Sequence, residues 1–213
     1  MSEEKKEEII EREIPECVNY NFNDIFEMED LGTRRLYLNA NVDSDTLQTI
    51  GYHILRYNRM DKDTPAKERT PIILYINSWG GSTVDGMGLA DIITLSETDV
   101  YTVNLAACYS MGFYIFLAGK RRYAMPHSQF LLHEGYVGSV YGENTSKARE
   151  RIEFETVKME EENRKYILDR TNISKKVYDK NFKTEWYMLP QEAKKLGIVD
   201  CIIGEDCKLS EIL

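Results

Sequence analysis

The chain has 213 residues, enough for one generous core or two tight ones, and its 42% hydrophobic and 30% charged residues are those of an ordinary soluble globular protein. Against 36 acidic residues stand 27 basic ones, a net charge of −9, which is the wrong sign for a protein that binds phosphate backbones or anionic lipid. Cys17, Cys108, Cys201 and Cys207 include no C-x-x-C pair and read as buried free thiols of a reduced compartment, while His53, His127 and His133 are the only candidates for histidine chemistry.

Residues 1–32 open the chain as an acidic arm of Glu and Lys, without the basic start and apolar run of a secretory signal. Residues 33–213 read as one continuous domain, and no apolar stretch is long enough to span a bilayer, so a cytoplasmic protein is expected. Arg35 to Leu38 alternates as a strand does. From Asp43 to Met60 the residues Leu47, Ile50, Ile54 and Leu55 fall on one side of a helix, with Asp43 or Ser44 as its cap.

Pro71 to Ile76 is a short apolar run of the kind buried on both faces of a parallel sheet, and it ends abruptly at Ser78-Trp79-Gly80-Gly81-Ser82. The pattern repeats with a helix over Val84 to Leu95, a strand over Val100 to Leu105, a break at Ala106 to Ser110, and an apolar helix to Ala118. A strand at Gln129 to Leu132 delivers His133, followed by the Gly-containing segment Gly135 to Ser139. Thr145 to Asp169 predicts a long helix with Ile152, Met159 and Tyr166 at seven-residue intervals, a stripe suited to a partner helix. Asn172 to Lys180 predicts a shorter helix, and Pro190 opens another that Gly197 stops before a strand at Ile198 to Ile203. Alternating strands and helices predict an α/β fold of βαβ units.

Ligands of α/β sheets bind outside the carboxyl ends of strands, and three successive strand ends here each carry a chemical tool. Gly80-Gly81 lets backbone N–H groups approach a ligand closely. Ser110 stands where a strand becomes a helix, so helical N–H groups surround its hydroxyl. His133 ends the next strand. Taken singly, each has a plainer reading: a turn, a small buried serine, a structural histidine. Together they form an acyl-transfer site, with His133 as base, Ser110 as nucleophile, and the N–H groups of Gly81 and Met111 holding the oxyanion. The residues alone leave the third member of such a triad open among many acids. A G-x-S-x-G elbow is absent, because Cys108 stands where its first glycine belongs. His and Cys lack ligand spacing, so neither a metal nor an organic cofactor is expected.

The runs Ile72 to Ser82, Ala107-Cys108-Tyr109-Ser110-Met111-Gly112, Leu131-Leu132-His133-Glu134, and Glu192-Ala193 with Leu196 to Asp200 together resemble the proteolytic subunit of the Clp protease, over about Arg34 to Ile203. The resemblance implies a crotonase-like α/β superhelix of βαβ units with a protruding handle helix, placed here at Thr145 to Asp169. It implies a serine endopeptidase, with two stacked seven-membered rings, a tetradecamer of one chain, hydrolysing unfolded polypeptide delivered by an AAA+ unfoldase. By position, Ser110, His133 and Glu185 take the catalytic places, Gly81 and Met111 the oxyanion hole, and Gly80, Ser82, Gly135, Tyr136 and Val137 the substrate strand. The family's acid is Asp, so Glu185 is one methylene longer, with Asp179 as the fallback. The sequence also departs at Trp79 (family Pro), at Glu134-Gly135 (family Gln-Pro), and at Thr184 (family Arg). The surface for an unfoldase keeps Tyr75 but has Ile73 and Leu95 at positions often aromatic. Two further readings remain: a catalytically impaired paralogue within mixed rings, and an acyl-CoA enzyme of the wider crotonase group.

Overall fold

A computed structural model describes residues 22–138 and 142–213; most of the acidic arm, Cys17 and Ser139 lie outside the described residues. The chain divides into two units, Met1–Thr33 and Arg34–Leu213. In the first, helix α1 (Phe22–Gly32) ends where the Thr33 hydroxyl donates to the carbonyls of Glu29 and Asp30.

The second unit begins with strand β1 (Arg35–Leu38) and then a helical run of three parts: α2 (Ser44–Thr46), a π-helical turn over Leu47–Gly51, and α3 (Tyr52–Met60). Asp43 caps the run through a reciprocal bond pair with Thr46. Ile50 and Ile54 are buried as expected, but Leu55 is 48% exposed. Tyr57 is buried in its place, continuing the face of Ile50 and Ile54 at ordinary helical spacing beyond the π turn.

Strands β2 (Ile72–Ser78) and β3 (Val100–Tyr109) flank helix α4 (Thr83–Leu95), and β3 passes through Ser110 into α5 (Met111–Leu117), all of whose residues are buried. Strand β4 (Arg121–Ala124), which the sequence pattern does not announce, precedes β5 (Gln129–Leu132). The expected handle is helical throughout, in three pieces: α6 (Thr145–Glu153), a π segment over Phe154–Met159, and α7 (Glu160–Arg170). Then come α8 (Lys175–Asn181), β6 (Trp186–Met188), α9 (Pro190–Lys195) and β7 (Cys201–Ile202). Five parallel strands run in the order β1-β2-β3-β4-β7, while β5 pairs with β3 and β6 pairs antiparallel with β5.

The fork at β3 decides where the site lies. Ile76 pairs with Asn104 but Ser78 pairs with Cys108, so two residues of β2 face four of β3, and Leu105 and Ala106 bulge outward. Such a bulge bends a strand. Before it, Tyr101 to Asn104 pair with β4; after it, Ala107 to Tyr109 pair with β5. The break expected at Ala106 is therefore a bend within one ten-residue strand. Asn104 Nδ2 donates to the Gln129 carbonyl at 2.9 Å and ties the two branches together.

Two side-chain groupings correct the sequence reading. Cys201 and Cys207 are joined as a disulfide, not free thiols, because the Gly204 turn folds the chain back and bridges Ile203 to Cys207. Cys108 alone remains a free buried thiol among the described residues, its ionisation pushed well up by burial. The seven-residue handle stripe is used within the chain at one end only. Tyr166 is buried, donating to the Tyr114 carbonyl, while Ile152 is 45% exposed.

Asp61 is 4% exposed and accepts from both terminal nitrogens of Arg34, at 2.5 and 2.6 Å, and from Thr98 Oγ1 at 2.7 Å. The Arg34 bonds hold its carboxyl below the usual range. A depressed acid stabilises the fold fully above the ordinary carboxylate pKa near 4, and the contribution is lost as pH falls through the folded value. Asp61→Asn is expected to cost about 3 kcal/mol in urea unfolding at pH 7, with the gap to wild type closing below pH 4.

Candidate active site

Ser110 joins β3 to α5 with φ 50° and ψ −119°, a conformation that costs a side-chain-bearing residue roughly 1–3 kcal/mol. Its N–H donates to the Leu131 carbonyl at 2.9 Å, and its own carbonyl accepts from Phe113 N–H at 3.0 Å. The α5 backbone thus begins directly at the serine, with the N–H of Met111 in the first turn, where helices leave donors unused. Gly80 (φ 95°) explains how the serine is approached so closely. A Cβ there would stand 2.7 Å from Ser110 Cβ and 2.8 Å from Met111 N. Only glycine fits against this neck.

One residue on, the chain bridges to Val42: Val42 N–H donates to the Gly80 carbonyl and Ser82 N–H to the Val42 carbonyl, each at 2.8 Å. This pairing leaves the Gly81 N–H outside the bridge, on an exposed residue. Ser82 caps α4 through the Asp85 N–H, so its hydroxyl serves the helix.

His133 follows β5 by one residue, and Glu185 precedes β6 by one. Because β5 and β6 pair antiparallel with Leu132 opposite Trp186, the two side chains emerge side by side. His133 Nδ1 lies 3.0 Å from Glu185 Oε1. A carboxylate only accepts, so Nδ1 carries a proton, and in the neutral imidazole this leaves Nε2 with its lone pair. Tyr136, whose ring stands edge-on to the imidazole at 5.3 Å, donates its hydroxyl to the same Oε1 at 3.3 Å. The nearby Glu185 charge raises the Tyr136 phenol. The fallback acid, Asp179, lies instead beside Arg164, at 3.7 Å.

Ser110, Met111, His133, Gly135, Tyr136 and Val137 line one cavity of about 320 Å³. No hydrogen bond joins the Ser110 hydroxyl to His133 among the described residues, a looseness common in sites without ligand. Residues 133–138 form no strand and are exposed from Glu134 onward, with only the Gly138 carbonyl bonded, to Arg151 Nη2 at 3.0 Å, among the described residues. Chain order could not reveal the Tyr136 bond to Glu185, nor that the handle supplies Thr156, Glu160 and Asn163 to the cavity wall. Among the described residues no cluster of His, Cys, Asp or Glu could hold a metal ion, and no helix is long and apolar enough to cross a membrane.

A sequence profile of the Clp protease family matches residues 21–206, and the chain belongs to that family. Peptide-bond hydrolysis is the family's activity. Relatives include "ATP-dependent Clp protease proteolytic subunit 1" of Prochlorococcus marinus, 29% identical over 82% of this chain and 86% of its own length. "ATP-dependent Clp protease proteolytic subunit 2" of a Synechococcus strain is 30% identical over 82% and 85%. A mutant ClpP1 from Listeria monocytogenes matches in structure with a TM-score of 0.68, 23% identity, and coverage of 84% of this chain and 95% of its own. The α/β superhelix expected from the resemblance is therefore the fold observed.

Proposed function

We propose that this chain is a serine endopeptidase subunit in which Ser110 is the nucleophile, His133 the general base and Glu185 the acid that orients it. The observation that carries this reading is the 3.0 Å contact between His133 Nδ1 and Glu185 Oε1, in the same cavity as a serine held at a strained strand-to-helix neck. His133 Nε2 takes the proton from Ser110 Oγ as the hydroxyl attacks the peptide carbonyl. Glu185 stabilises the imidazolium so formed. The oxyanion is received by the N–H groups of Gly81 and Met111, each donor contributing roughly 3 kcal/mol in the transition state. The imidazolium then protonates the leaving amine, and water repeats the sequence on the acyl-enzyme.

The exposed stretch Gly135 to Val137 supports binding of an extended, unfolded polypeptide through its main chain, whereas Gly80 and Ser82, expected to join it, have their main-chain groups bonded to Ser78, Val42 and Gly86. Exposed Ile152, Phe154 and Val157 on the handle support assembly with further copies, as stacked heptameric rings. The surface for an AAA+ unfoldase would include Tyr37, 52% exposed and stacked on Tyr75 at 4.9 Å, and Leu95, 79% exposed. Tyr75 itself is buried, its hydroxyl donating to the Ile212 carbonyl.

A second reading, an impaired subunit that works within mixed rings, is favoured by the missing Ser110 to His133 bond. One experiment separates the two. The assembled protein, sized by native mass spectrometry, is treated with a fluorophosphonate probe and with an unfolded protein substrate. Labelling and peptide release support the peptidase; an assembled ring that neither labels nor cleaves supports the impaired subunit.

A further inference from the structure

The cavity beside Ser110 does not stop at the serine. Thr156 and Met159 of the π segment and Glu160 and Asn163 of α7 also line it, leaving room for a substrate side chain beside the bond under attack. Its walls are apolar where Met111, Tyr114 and Phe182 are buried, and Met159 closes one side. Acceptors interrupt this apolar lining. Half-buried Glu160 enters no ion pair among the described residues, and its charge adds to burial in raising the phenols of Tyr114 and Tyr178. Asn163 Oδ1 is buried without a hydrogen-bond partner.

Glu155 and the exposed Glu134 contribute two further carboxylates to the wall, while the nearby guanidinium of Arg151 is held by Glu143 at 2.9 Å. Among the described residues the only Lys or Arg on the lining is Lys183, which is exposed and so screened by solvent and salt. A buried orphan amide oxygen is costly unless a ligand supplies a donor, and the half-buried Glu160 carboxylate lines the same cavity. A long aliphatic stem ending in a cation matches both features, stem against Met111 and Phe182, head at the acceptors.

We propose that this cavity selects a lysine or arginine immediately before the scissile bond, with Glu160 as the specificity-determining carboxylate and Asn163 as a second acceptor. The proposal rests on the reading of Ser110 as nucleophile. Fluorogenic peptides that differ only at that residue (Lys, Arg, Leu, Gln or Glu) are compared by kcat/KM on the assembled full chain. Lys and Arg are expected to exceed Leu by about tenfold or more, and Glu by a wider margin. In Glu160→Gln the Lys-to-Leu ratio is expected to fall about tenfold, with Glu160→Asp retaining most of it.

A Leu peptide cut as well as the Lys peptide by wild type, or a ratio unmoved in Glu160→Gln, overturns the proposal and leaves the Ser110 reading standing. A preference for the Glu peptide overturns it in favour of Lys183. Silence across the whole series, together with no fluorophosphonate labelling, removes the Ser110 reading and this one with it.

Discussion

Ser110→Ala is expected to lower kcat/KM for a cleavable peptide by roughly 10⁴- to 10⁶-fold and to abolish fluorophosphonate labelling, with no change in assembly mass. The size of the loss follows from where the hydroxyl sits. The backbone at φ 50° places Ser110 at the first turn of α5, against Gly80, where a Cβ would find no room, and within the cavity that also holds His133. Removing one oxygen leaves this frame intact, since the Ser110 main chain bonds to Leu131 and Phe113 and its side chain makes no cap bond to α5. Melting temperature should therefore move little, and alanine should relax none of the backbone strain. Retained hydrolysis in Ser110→Ala, measured on protein freed of contaminating protease by a second column, would assign the chemistry elsewhere.

Glu185→Gln is expected to lower kcat by roughly 10²- to 10⁴-fold. The amide can turn its NH₂ toward the imidazole, which then accepts at Nδ1 and carries its proton at Nε2, where it can no longer take one from Ser110. Because Glu185 is 47% exposed on its side chain, water replaces part of its effect, and the loss should sit below that of Ser110→Ala. Glu185→Asp is the more discriminating variant. The resemblance implies aspartate at this position, yet shortening by one methylene withdraws the carboxylate by about 1.5 Å from an Nδ1 now 3.0 Å away and from the Tyr136 hydroxyl. A displacement of that size costs about 100-fold where geometry is tight. Stopped-flow measurement of probe labelling across pH 6 to 9 reads both variants. Full activity in Glu185→Gln would remove Glu185 from the mechanism, and an Asp variant faster than wild type would show that the backbone suits the shorter acid.

The strands that carry the site were legible because each is a short apolar run closed by a break: Ile72 to Ile76 before Gly80-Gly81, and Gln129 to Leu132 before His133. Helix α4 and the proline start of α9 were legible from caps and turn residues. Strand β4 was not, because Arg121-Arg122-Tyr123-Ala124 has only its last two residues buried and looks like a charged loop. The bend in β3 was read as a break because its bulged Leu105 and Ala106 interrupt the alternation without ending the strand. The π segments at Leu47–Gly51 and Phe154–Met159 were not legible, since a single inserted residue leaves no signature in apolar spacing. The disulfide was missed because the reading weighed C-x-x-C spacing, whereas a turn at Gly204 sets the distance between Cys201 and Cys207.

By itself the sequence determined the α/β class, the order of Gly80-Gly81, Ser110 and His133 at successive strand ends, and membership of one family, because these depend on local periodicity and short motifs. Only the tertiary structure decided that Glu185, not Asp179, meets His133, that Tyr136 shares its oxygen, and that Glu160 and Asn163 line the cavity. The physical reason is distance along the chain. His133 and Glu185 are 52 residues apart and meet through the antiparallel pairing of β5 with β6. Glu160 and Asn163 reach the serine through the packing of α7 over α5, with Tyr166 bonded to Tyr114. No periodicity within either segment encodes those contacts.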